Sequence, residues 1–259
     1  MKKNLLLAID IGNTETTIGV FDGDDIVATW HEATVIYRTA DEQAMLLFNL
    51  LGRQGLRDSD IKEVSLCSVV PPITSIYEDM FQRHFDVSLL MVAVGIKTGV
   101  RICMDNPREV GADRIVDAVA AHYLYGGPVI VVDFGTATTF DTISAKGDYL
   151  GGAIAPGMIT AAEAMSRETA MLPRVELARP SSVIGTNTID AMKSGIVFGY
   201  VAMVEGMVAR IQRELGARTK VIATGGYAGL IARETEAIDE VNPDLTLIGL
   251  RLIYQMNKD

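Results

Sequence analysis

The chain has 259 residues, 49% of them hydrophobic, and a formal charge of −10 from 23 basic and 33 acidic residues. That length suffices for two compact lobes, each with its own core, while an acidic balance without basic clusters argues against binding to nucleic acid or an anionic membrane. No uncharged apolar stretch reaches eighteen residues, so no membrane span is expected, and two isolated cysteines, Cys67 and Cys103, without a Cys/His cluster, fit a reducing compartment and no zinc site.

The first element is expected to be a strand. Met1 to Asn4 precede an apolar run ending at Asp10, too short for a signal peptide's apolar region. The turn Ile11-Gly12-Asn13-Thr14 and the β-branched run Thr16-Thr17-Ile18-Gly19-Val20-Phe21 follow, which together predict a β-hairpin. Helical spacing covers Asp41 to Leu51, and Val64 to Val70 is a short apolar run stopped by Pro71-Pro72. A second helical spacing covers Arg114 to Tyr125.

The opening pattern then recurs. Val129 to Asp133, Phe134-Gly135-Thr136-Ala137 and Thr138 to Ile143 again read strand, Asp-x-Gly turn, strand, with Thr139 at the place of Thr16. Helices are predicted over Thr160 to Met171 and Thr188 to Leu215, a strand over Lys220 to Thr224, and a short helix from Tyr227 after Gly225-Gly226. The last helix is marked by Asn242 as cap and Pro243 at the first helical position. Alternation of strands and helices makes the class α/β.

Transfer of a terminal phosphoryl group requires Mg²⁺, donors around the phosphates and a group that orients the acceptor hydroxyl. No Gly-Lys-Ser/Thr P-loop occurs, so phosphates would have to be held otherwise. The run Asp10, Ile11, Gly12, Asn13, Thr14, Glu15, Thr16 and Thr17 offers a carboxylate suited to hydrated Mg²⁺ and a glycine that lets backbone N–H groups approach an anion. Taken alone it reads equally as a tight turn in which Asp10 and Asn13 bond the backbone. Its second copy favours two grips on one polyphosphate, and Thr224-Gly225-Gly226 adds a turn against which a flat base could pack. Asp113 and Arg114 begin a predicted helix. They read either as base and anion clamp or as a dipole-stabilising acid with an Arg114 to Asp117 pair.

The order of these turns resembles the acetate and sugar kinase, heat-shock cognate and actin superfamily. Asp10-x-Gly-Asn-Thr, Ser68-Val69-Val70-Pro71, Asp105-Asn106-Pro107-x-Glu109-Val110-Gly111-Ala112-Asp113-Arg114, Asp133-Phe134-Gly135-Thr136-Ala137-Thr138-Thr139, Gly151-Gly152-x-Ile154-x-Pro156-Gly157 and Thr224-Gly225-Gly226 resemble type III pantothenate kinase more closely. The resemblance implies two ribonuclease-H-like, actin-like ATPase lobes with a cleft between them, here 1–118 and 119–259, the last helix being free to pack back on the first lobe. It implies ATP-dependent phosphorylation of pantothenate to 4′-phosphopantothenate, the first step of coenzyme A biosynthesis, by a cytoplasmic homodimer.

Asp113 would then accept the hydroxyl proton. Gly111, Ala112, Asp113, Arg114 and Thr188 would bind pantothenate, Thr136 would contact ATP, and Asp133 would bind a monovalent cation, K⁺ or NH₄⁺. Without the resemblance Thr188 reads as a helix cap. Met104 stands where the family commonly has tyrosine, and His31, His84 and His122 carry no metal spacing. Two other readings stay open: a kinase for another small hydroxy compound, and a regulatory protein that binds ATP without turnover.

Overall fold

The computed structural model describes residues 4–258, which divide into two compact units. Residues 4–99, 108–120 and 246–258 form the first, and residues 100–107 and 121–245 the second, so the division falls within one helix.

In the first unit, β1 (Leu5–Ile11), β2 (Glu15–Asp22), β3 (Asp25–Ala33), β4 (Ile61–Ser68) and β5 (Ser88–Met91) form one sheet in the order β3-β2-β1-β4-β5. The first three are antiparallel neighbours, and β4 and β5 are added in parallel. β1 is buried on both faces, which explains its unbroken apolar run. Helix α1 (Ala40–Arg53) starts at a capping box, Thr39 accepting from the Glu42 backbone and Glu42 accepting from that of Thr39. Pro71-Pro72, expected only to stop a strand, instead begin α2 (Pro71–His84). Proline at the first helical positions gives up an N–H that had no partner there anyway.

The last helix, α7 (Leu245–Asn257), belongs to the first unit from Thr246 onward. It starts later than Asn242-Pro243 implied, because Asn242 closes a local turn in which its Oδ1 accepts from the Asp244 N–H at 3.1 Å. Glycines permit its close seating: a side chain at Gly19 would meet Leu247, and one at Gly249 would meet the Val116 carbonyl. Ser65 Oγ donates to the Leu250 carbonyl at 2.9 Å. Leu245, Leu247, Leu250 and Ile253 are buried, each contributing about 1.5–3 kcal/mol.

The second unit repeats the topology. β6 (Val129–Phe134), β7 (Ala137–Ile143), β8 (Tyr149–Pro156), β9 (Lys220–Thr224) and β10 (Glu240–Val241) lie in the order β10-β9-β6-β7-β8. β6, β7 and β8 are antiparallel, while β9 and β10 run parallel, so β6 takes the place of β1 and β9 that of β4. Helix α4 spans Met158–Glu168, two residues earlier at its start than Thr160, and α6 spans Ala228–Ala232.

α5 (Thr188–Leu215) has the bounds its apolar spacing predicts. By length and composition α5 could cross a membrane, but Met192, Ile196, Val197, Val201, Val204 and Val208 are buried within its own unit. α3 (Ala112–Tyr125) is the helix shared at the division.

Candidate functional site

Each unit presents one hairpin turn at the end of its central strand, and the two turns are not the same length. Gly12-Asn13-Thr14 separates β1 from β2, closed by the Gly12 N–H donating to the Glu15 carbonyl at 3.0 Å; Gly135-Thr136 separates β6 from β7, closed by Gly135 donating to Ala137 at 3.1 Å. The first turn is therefore one residue longer. Asp10 faces Thr17, and Asp133 faces Thr139, so Thr139 corresponds to Thr17 rather than to Thr16 as expected from counting along the chain.

Strand alternation separates the residues of the first hairpin by role. Asp10 and Thr17 share one face, while Thr16 lies opposite Ile11 on the other and is wholly buried. Asn13, Thr14 and Glu15 are exposed at the turn, and Ile11 is core. A Cβ on Gly12 would come within 2.9 Å of the Glu15 carbonyl, so the tight turn requires glycine. Its backbone is free to lie close to an anion.

Asp10 also lies level with Cys67 of β4, whose Sγ donates to Asp10 Oδ1 at 3.1 Å. Burial pushes the Asp10 carboxyl up to about 7; the Cys67 bond opposes the rise and the charge of Asp113 adds to it. The thiol itself is pushed far up, by burial first and then by the charges of Asp10, Asp113 and Asp117, and so remains protonated. Cys67 was not visible as a site residue because its contact with Asp10 exists only through parallel pairing of two distant strands.

Asp113 stands in the first turn of α3, its Oδ1 accepting from the Arg114 N–H at 2.8 Å. A side chain on Gly111 would collide with that same oxygen, which explains glycine at this point of Gly111-Ala112-Asp113-Arg114. All four residues are half-buried. Asp117, one turn on, is buried and accepts from Thr246 Oγ1 at 2.7 Å. The first unit thus gathers Asp10, the Gly12 turn, Cys67 and Asp113 at one corner.

In the second unit Asp133 is enclosed by glycines. The Cβ that Gly225 lacks would fall on Asp133 Oδ1 and against Phe134, while one on Gly135 would lie 3.3 Å from Asp133 Oδ2. Gly225 has φ +87°, a conformation that glycine alone adopts without strain, whereas a side chain on Gly226 would meet open space. Gly225 therefore serves the Asp133 carboxylate, a use its sequence context did not reveal. The exposed Thr136 is held by its carbonyl, which accepts from the Gly157 N–H at 3.1 Å and from Thr160 Oγ1 at 2.7 Å.

Thr188 is exposed at the first position of α5; Asn187 is the cap, its Oδ1 accepting from the Asp190 N–H at 2.9 Å. The expected capping role thus passes to the neighbour. Thr188 lines a cavity of about 500 Å³ with Ala161, Met165, Leu172, Ala191, Met192, Gly195, Ile196 and Tyr200. Met104 packs its sulfur over Gly151. His31 sits beside Glu15 at 3.1 Å and Thr17 at 3.3 Å, exposed, and among the described residues no three His, Cys, Asp or Glu side chains cluster as metal ligands.

Two units with matching sheet order, each with an Asp-Gly hairpin, define the ribonuclease-H-like, actin-like ATPase fold. A structure assigned as 2-dehydro-3-deoxygalactonokinase from Sinorhizobium meliloti shares that fold, with a TM-score of 0.58 at 13% identity over 97% of this chain and 96% of the other.

The family model for type III pantothenate kinase matches residues 6–210. A type III pantothenate kinase of Dehalococcoides mccartyi strain 195 is 55% identical over 98% of both chains, and one of Moorella thermoacetica is 51% identical over 98% of this chain and 100% of its own. The chain belongs to the type III pantothenate kinase family.

Proposed function

We propose that the chain transfers the γ-phosphoryl group of ATP to the hydroxyl of pantothenate, giving 4′-phosphopantothenate, the entry step of coenzyme A biosynthesis. The observation that carries the reading is the meeting of Asp10, the Gly12 turn and Asp113 at one corner of the first unit. A phosphate grip and an acceptor-orienting carboxylate belong together in such a reaction.

In this reading Asp10 through Thr17 cradle phosphates by backbone N–H groups and by the face that carries Asp10 and Thr17. Thr136 contacts ATP from the second hairpin, and Gly111, Ala112, Arg114 and Thr188 hold pantothenate. Asp113 accepts a hydrogen bond from the acceptor hydroxyl and takes its proton as the phosphorus–oxygen bond forms. Its own bond from the Arg114 N–H fixes the orientation of the carboxylate, which matters most where transfer is loose.

The donor sets fit the ions the family implies. Asp10 has one oxygen occupied by a thiol that stays protonated, leaving the other to a hydrated Mg²⁺. The Asp133 carboxylate lies where a Cβ on Gly225 or Gly135 would meet its oxygens, and a monovalent cation, K⁺ or NH₄⁺, is proposed at this carboxylate. Mg²⁺ would neutralise phosphate charge. Homodimerisation is proposed through α5, where Ala191, Gly195, Gly199, Ala202, Gly206 and Ala209 form one stripe of small, largely exposed residues that lets a second backbone approach. A cytoplasmic location accords with a substrate and product of central metabolism.

Coupled ADP release tests the assignment. Release that requires pantothenate and potassium, and that Asp113→Asn lowers by about 10²–10⁴, is expected. ATP binding without any response to pantothenate refutes the substrate and favours another kinase or a non-catalytic binder.

A further inference from the structure

Behind the first hairpin, on the face turned away from Asp10, lies a polar network that no step above uses. Thr34 follows β3 and meets the turn twice: its N–H donates to the Thr14 carbonyl at 3.0 Å and its Oγ1 donates to the Gly12 carbonyl at 2.7 Å. Because that hydroxyl proton is committed to Gly12, the 2.9 Å contact between Thr34 and Thr16 must be donated by Thr16.

Thr16 in turn neighbours the Tyr77 phenol of α2. Tyr77 Oη donates to Glu32 Oε1 at 2.7 Å, Gln43 Nε2 donates to the same oxygen at 2.6 Å and to Tyr77 Oη at 2.7 Å, and Arg38 donates to Glu32 Oε2 at 3.2 Å and to Gln43 Oε1 at 2.7 Å.

Thr16 and Tyr77 are wholly buried, Gln43 nearly so, and the Glu32 side chain is 9% exposed. Burying a carboxylate costs several kcal/mol unless donors surround it, and well-packed apolar residues would serve stability as well. The network's protons run one way, Thr34 to Gly12, Thr16 to Thr34 and Tyr77 to Glu32, with the Tyr77 phenol beside Thr16, and they back Thr34 as it grips two of the three carbonyls whose peptide planes aim the N–H groups of the turn.

We propose that Thr34 is a positioning residue for the phosphate-binding turn, held in register by the buried Glu32, Gln43 and Tyr77. The inference rests on reading Gly12 to Thr14 as the ATP phosphate grip. It predicts a selective defect: loosening the turn weakens ATP but leaves pantothenate untouched, since Thr34 touches neither Asp113 nor Gly111.

The test compares wild type, Thr34→Val, Thr34→Ser, Tyr77→Phe and Asp10→Asn by steady-state kinetics in both substrates. Thr34→Val is expected to raise KM for Mg·ATP about tenfold, the order of effect of one or two lost hydrogen bonds, with KM for pantothenate within twofold. Thr34→Ser, which keeps the hydroxyl, restores most of it. Tyr77→Phe shifts KM for Mg·ATP in the same direction by less, which keeps the inference testable should Thr34→Val fail to fold.

A purely structural role would lower the active fraction, and hence apparent kcat, with both KM values unchanged. That pattern, or equal defects in Thr34→Val and Thr34→Ser, overturns the inference. If Asp10→Asn is inactive while Thr34→Val is normal, only the positioning role fails. If Asp10→Asn retains wild-type activity, the phosphate-grip reading fails and this inference with it.

Discussion

Replacing Asp10 by asparagine should remove activity and yet stabilise the ligand-free protein above neutral pH. Burial pushes this carboxyl up to about 7 from 3.8. Between those values the folded chain keeps a proton that the unfolded chain has released, so stability falls as pH rises through the window and the loss is complete above about pH 7. About three pKa units at about 1.4 kcal/mol each set an upper bound of about 4 kcal/mol. Asp10 is only half-buried, so solvent reduces the figure to about 1–3 kcal/mol.

Asparagine has the same shape, carries no charge and still offers an oxygen to Cys67. The assay is urea unfolding of both proteins at pH 5 and pH 8 with a chelator present, where every other titrating group cancels in the difference. Between these pH values the wild type should lose about 1–3 kcal/mol more than Asp10→Asn. Saturating Mg²⁺ and ATP should reverse the order at pH 8 by binding the charged form. Parallel pH curves, or a variant less stable than wild type at pH 8, would refute the reasoning.

Asp113→Asn should lower kcat by about 10²–10⁴ with little change in KM for Mg·ATP, measured by coupled ADP release, because it removes the proton acceptor and leaves the phosphate turn intact. Gly225→Ala forces a side chain into the Asp133 carboxylate at φ +87° and should cost about 1–3 kcal/mol in thermal unfolding and raise the potassium concentration for half-activation. Gly226→Ala, with open space at its Cβ, should be near neutral in both measurements. Ala202→Arg, on the small-residue stripe of α5, should shift the mass by light scattering toward that of a monomer without lowering the helix content.

What the sequence disclosed was local. α5 was readable to the residue because a long apolar spacing is bounded by Asn187 and by Gly216, the latter in the left-handed conformation that ends helices. β9 and the two hairpins were readable because an apolar run ending in a glycine turn, Asp-x-Gly in the hairpins and Thr224-Gly225-Gly226 after β9, is a short-range signal. α2 was hidden by Pro71-Pro72, which mean a stop inside an element and a start at its first turn. β3, β5 and β8 were not called, since each is defined by its pairing with a strand read elsewhere. The partners of Asp10 and Asp133 were hidden for the same reason: Cys67 and Gly225 reach them only across parallel strands.

The register shows what duplication preserved and what diverged. Cys67 and Thr224 occupy equivalent places beside their aspartates, and Thr17 and Thr139 face them from the next strand. Around Asp10 burial raises the proton affinity and the charge of Asp113 adds to it, while the Cys67 thiol donor opposes the rise. Around Asp133 the neighbours are glycines, and Thr139 donates instead to the buried Asp141 at 2.9 Å. The two equivalent aspartates thus sit in different surroundings, one against a thiol and the charge of a second carboxylate, the other against glycines whose missing Cβ atoms would meet it. The proposed assignment of a divalent ion to Asp10 and a monovalent ion to Asp133 draws on that difference.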